Sequence, residues 1–115
     1  MIRKITRIFK SNVEKRICRV EDRLRDYLKP RGYSKLGVDH IGATYINPKH
    51  LAICIALGTD EEVEKFDLME ITKMVHQWLE EEKYPHEAIK HVGVRVDSQE
   101  TVNREFNGNW FYCYK

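Results

Sequence analysis

Two groups of charged side chains have the types and spacing to do chemistry. Arg16, Arg19 and Arg23 stand at i, i+3 and i+7, so on a helix they form one ridge. Such a ridge grips phosphate and would give a salt-dependent affinity for nucleic acid. Glu80, Glu81 and Glu82 gather at the end of a helix-forming stretch, where the backbone dipole is already negative and stability alone favours lysine. The stretch 60–87 holds ten acids and three lysines, which makes a basic protein the expected partner. On this reading Asp60, Glu61, Glu62, Glu70, Glu80 and Glu81 form a partner-binding face, and helical geometry turns Glu82 towards the apolar side. The arginine ridge is the rival, nucleic-acid-binding surface. Glu14, Glu21, Asp22 and Asp26 share its helix, and no RNP motif, zinc-finger spacing or GxxG loop accompanies it.

Other reactive residues form no known constellation. Asp39 with His40, His50, His76, His86 and His91 could supply a metal or a base. Neither HExxH nor HxH occurs, and the spacings are those of scattered surface histidines, so no metal or other cofactor is expected. Cys18, Cys54 and Cys113 are odd in number and lack CxxC spacing, which suits thiols in a reducing, cytoplasmic compartment. Nothing electropositive adjoins Cys54, which reads as a small buried hydrophobe. Without a GxSxG elbow or comparable motif, the expectation is a protein that is not an enzyme.

The charge split frames these groups. The net charge of +2 conceals twelve Lys/Arg and four Asp/Glu in residues 1–35, net +8, against eight and fourteen in 36–115, net −6. Either a basic arm has its own partner, or two oppositely charged surfaces of the chain meet. Hydrophobic content of 42% with 33% charged is that of a globular protein, and 115 residues suit a single domain, 1–115. The longest apolar run, 51–57, is far below the ~20 residues of a membrane span.

The elements that must position these residues follow from periodicity. Residues 1–10 are a basic amphipathic decapeptide, read as an extension of the first helix or a docked arm, with a membrane-surface or targeting role as the competing use. Ser11-x-x-Glu14 is a capping box that offers a later start at Asn12. Val13, Ile17, Val20, Leu24 and Tyr27 form the first helix's apolar stripe, and Pro30 and Gly32 end it. A hairpin of strands 38–46 and 51–57 is expected about a turn at Asn47-Pro48, and 51–57, apolar on both faces, is a central strand. Thr59-x-x-Glu62 caps a short helical turn.

The main helix, 67–83, is capped by Asp67 and stopped by Pro85, with Leu68, Ile71, Met74, Val75, Trp78 and Leu79 on one face. A third strand is expected at 91–96, helix or strand at 98–106, and a last strand at 110–114 after the Asn107-Gly108 turn. Trp110, Tyr112 and Tyr114 would then share a face, able to stack bases or to lie under a helix. The architecture expected is α+β, a two-layer sandwich with a mainly antiparallel sheet of about four strands on two principal helices. The function expected is a small non-catalytic protein-binding module, such as an inhibitor or immunity-type protein whose acidic surface occludes a basic partner. Homo-oligomerisation is left open.

Overall fold

A computed structural model describes residues 12–114. The basic decapeptide and Ser11 lie outside the described residues. The first helix, α1, is Asn12–Leu28, and it buries Ile17, Val20, Leu24 and Leu28 completely or nearly so. Its stripe is the one its four- and three-residue steps dictate. A 3₁₀ turn, Lys29–Arg31, follows, and Gly32 leaves it with φ 73°, a left-handed exit that glycine adopts without penalty.

Strand β1 (Leu36–Ile41) and strand β2 (Ala52–Leu57) pair antiparallel, with Val38 opposite Ile55 and His40 opposite Ile53. β1 is shorter than the expected 38–46. Gly42, at φ 113°, turns the chain out of the strand, and a Cβ there would stand 1.9 Å from the His50 carbonyl oxygen. The connection then makes a 3₁₀ turn, Pro48–His50, whose start Asn47 caps by accepting from the Lys49 N–H. The Tyr84 hydroxyl donates to the Pro48 carbonyl at 2.7 Å and pins this loop to the core.

Helix α2 (Asp60–Lys65) begins with a reciprocal capping box between Thr59 and Glu62. Helix α3 (Leu68–Glu81) is capped by Asp67, whose side chain accepts from the Glu70 N–H, and it buries Ile71, Val75 and Leu79. Leu68, Met74 and Trp78 pack half-buried against the same core. After a short helix α4 (His86–Ile89), strand β3 (Gly93–Ser98) pairs with β2 in parallel. The sheet order is β1-β2-β3.

The fold is α+β, and its sheet is three-stranded and mixed where about four mainly antiparallel strands were expected. A helical crossover between β2 and β3 forces the parallel pair. Among the described residues there is no fourth strand, because Ser98 caps helix α5 (Gln99–Phe106), and Trp110–Tyr114 is a further helix, α6. Asn107 and Gly108 do both adopt positive φ, 52° and 77°, as a two-residue hairpin turn requires. Those angles also end a helix, and the Gly108 N–H returns to the Val102 carbonyl to close α5 instead.

β2 is central, with Ile53, Ile55 and Leu57 facing α1 and α3. Its other face carries Ala52, Cys54 and Ala56, and these small side chains admit α6: Trp110 and Tyr114 stand over Gly37, Cys54 and Ala56 around a cleft of about 270 Å³. Arg95 lies over the Tyr114 ring at 5.3 Å and donates to the Cys113 carbonyl. The aromatic stripe is thus split: Trp110 and Tyr114 are half-buried against the sheet, while Phe111 and Tyr112 face outwards. Among the described residues no helix is long and apolar enough to cross a membrane.

Candidate functional site

The packing of α1 beside α3 brings the two charged groups together. Arg23 Nη2 donates to Glu81 Oε1 at 2.8 Å and Nη1 to Glu82 Oε2 at 3.3 Å, while Arg19 Nε donates to Glu82 Oε1 at 2.9 Å. The Arg23 guanidinium also lies 5.2 Å from the Trp78 ring, which itself meets Tyr27 edge-on at 6.1 Å. Glu81, with Gln77 as a second donor, has its pKa lowered chiefly by the Arg23 hydrogen bond. The cationic complement of acids at this helix end is therefore α1 itself. Of the arginine ridge, only Arg16 makes no ion pair among the described residues.

Asp60 and Glu62 also have internal duties. Asp60 Oδ1 accepts from the Ser98 and Thr101 hydroxyls, and Oδ2 pairs with Arg104 at 3.1 Å, ties that hold its pKa down to about 2. Glu62 accepts from the Ser34 N–H at 2.8 Å and hydroxyl at 2.7 Å, and from the Gly58 and Thr59 N–H groups. The Ser34 bonds dominate in lowering its pKa to about 2. These two residues fasten β2, α2 and α5 together at one corner. Glu61 pairs with Lys65 at 2.8 Å with both side chains about three-quarters exposed, and Glu80 meets His86 at 3.0 Å.

Glu70 differs. It is exposed, and its carboxylate has no hydrogen-bond or ion-pair partner among the described residues; Glu64 and Glu87 share that condition. Beside Glu70, Met69 is 74% exposed. Asp67, Glu70 and Lys65 also rim a shallow groove of about 180 Å³ floored by Tyr27, Tyr33 and Phe66. The α2–α3 corner thus combines an apolar anchor with uncommitted negative charge.

A second site was not legible as a unit. β1 alternates so that Leu36, Val38 and His40 face α1, and Glu21 is on the buried side of α1, four residues from Ile17 and three from Leu24. His40 Nδ1 lies 3.2 Å from Glu21 Oε2 and 3.9 Å from Asp39 Oδ1, and the Glu21 side chain is only 6% exposed. The Glu21 contact raises the His40 pKa above the usual imidazole value, against burial, with the charges of Glu21, Asp39 and Glu14 adding to the effect. At 3.2 Å the attraction is electrostatic rather than directional, because Nδ1 is buried with no aligned hydrogen-bond partner. Asp39 and His40 belonged to the candidate histidine set, and the missing member was Glu21. Its signal was an acid inside the apolar stripe of α1.

Cys54 is buried as expected, and burial pushes its pKa up to about 11, although Arg95, its neighbour across the β2–β3 pair, acts the other way. Comparison with known proteins finds no matching family model, no matching curated protein and no matching solved structure.

Proposed function

We propose that this chain is a non-catalytic protein-binding module whose acidic α2–α3 corner receives a basic partner. The observation that carries this reading is the set of exposed carboxylates left over after internal pairing. Asp60, Glu62, Glu81 and Glu82 are spent on the fold, whereas Glu64 and Glu70 are spent on nothing among the described residues, and Met69, next to Glu70 in the chain, stands exposed. An exposed methionine set among acids has the composition of a small interface centre with a charged rim. Opposed potentials would speed encounter with a cationic surface, as an inhibitor or immunity-type protein requires. The reduced thiols Cys54 and Cys113 fit a cytoplasmic setting.

The nucleic-acid reading has weaker support, since Glu81 and Glu82 neutralise Arg23 and Arg19. Chromatography separates the two. Retention on immobilised poly-lysine at low salt, lost on changing Glu64 and Glu70 to lysine, supports the acidic corner. Retention on heparin, weakened by Arg16→Gln and not by the glutamate changes, overturns it.

A further inference from the structure

The cluster at the seam of α1 and β1 is unlike the other charged contacts, because His40 Nδ1 is buried without a hydrogen-bond partner although two carboxylates stand close to it. Glu21 is a carboxylate more than nine-tenths buried, and the partner beside it is His40, 3.2 Å away. A buried carboxylate is costly unless a cation compensates it, and an imidazole does so only when protonated. His40 offers Nδ1, a buried atom without a hydrogen-bond partner, 3.2 Å from Glu21 Oε2 and 3.9 Å from Asp39 Oδ1. One donor atom from each of Glu21, Asp39 and His40 lies within 4.8 Å of the others. Metal bonds of about 2.0–2.2 Å place tetrahedral ligands about 3.4 Å apart, so the 3.2 Å and 3.9 Å separations are already of that size. Asp39 is 78% exposed at its side chain, and its Oδ1 accepts from the His40 backbone N–H at 2.8 Å, which holds it 3.9 Å from Nδ1.

We propose that Glu21, Asp39 and His40 bind one divalent transition metal ion of the zinc class. One nitrogen and two carboxylate oxygens suit such ions better than calcium or magnesium, which prefer oxygen alone. The cluster opens onto a cleft of about 530 Å³, which leaves a coordination position for water or for a side chain from outside. The cations around the cleft are mostly neutralised: Arg25 is held by Asp22 and by the Val38 carbonyl, and Arg19 by Glu82, leaving Lys15. Binding would tie the edge strand β1 more firmly to α1 and give His40 Nδ1 the partner it lacks. This site is independent of the acidic corner.

Zinc titrated into the metal-stripped protein, in competition with a chromophoric chelator, tests the proposal. The native chain should take up one equivalent. Loss of a partner that merely orients a ligand already costs about tenfold or more, so Asp39→Asn should weaken uptake by at least that and His40→Gln should abolish it. Cobalt substitution should give a visible d–d spectrum that both variants lose. Asp39→Asn keeps the fold question apart from the metal question, because the residue is exposed and asparagine can still accept from the His40 N–H. His86→Gln, which removes the exposed Glu80–His86 pair, should change nothing. Uptake that survives Asp39→Asn and His40→Gln, or falls with His86→Gln, would overturn the assignment, and so would no stoichiometric binding by the native chain.

Discussion

Arg23 of α1 and Glu81 of α3 are 58 residues apart in the chain and 2.8 Å apart in space. Each was a candidate for an external ligand, the arginine for phosphate and the glutamate for a basic protein. Their pairing shows why acid sits at a helix end where the dipole disfavours it. The adjoining helix supplies the positive charge.

Glu81→Lys should therefore lower the melting temperature, although the helix dipole alone would favour lysine there. The new ammonium faces Arg23, whose remaining partner would be Glu82. A double-mutant cycle between Arg23→Gln and Glu81→Gln should give a favourable coupling that shrinks as salt rises. Both side chains are partly exposed, so the coupling will be modest. A higher melting temperature for Glu81→Lys would mean the pair does not form in solution.

Acid should loosen the corner that Glu62 and Asp60 fasten. Each carboxyl has its folded pKa near 2, below ordinary values of 4.5 and 3.8. A depressed folded pKa contributes stability that is complete above the unfolded value and is lost as pH falls towards the folded one. Urea melts between pH 5 and pH 2 should show that decline, and Glu62→Gln should flatten it. An equal pH dependence in native and variant proteins would show that Ser34 does not hold Glu62.

Trp78→Ala should cost about 2–3 kcal/mol, less than the 3–5 typical of a fully buried aromatic. The indole is half-buried and serves as the surface on which Tyr27 and Arg23 rest. Denaturant melts measure this, and a loss under about 0.5 kcal/mol would mean that α1 and α3 do not pack through it.

The elements legible from sequence were those whose signals are local. The central strand followed from an apolar run small on one face, and α3 from its stripe between Asp67 and Pro85. Asn107-Gly108 misled because one pair of positive φ angles serves both a hairpin and a helix exit, and only the Gly108 bond back to Val102 distinguishes them. Once α5 was closed in that way, Asn109 could cap Trp110–Tyr114 as a helix, with its side chain accepting from the Phe111 N–H. The charged pairs were invisible for a different reason. Arg19–Glu82 and Arg23–Glu81 link helices brought side by side by apolar packing, and nothing in a one-dimensional charge pattern says which opposite surfaces will meet. Glu21 could have been noticed, since an acid between Ile17 and Leu24 on a core stripe must find a partner.

The acidic corner is tested most directly by association kinetics with a basic protein co-purified from the native host. Rates are measured at low and physiological salt for the native chain and for a chain with Glu64→Lys and Glu70→Lys. Neither glutamate has a side-chain partner among the described residues, so the double change should leave the melting temperature nearly unaltered. The account predicts association at least about tenfold slower for the variant at low salt, with the difference fading as salt screens the corner. Equal rates at low salt would contradict it.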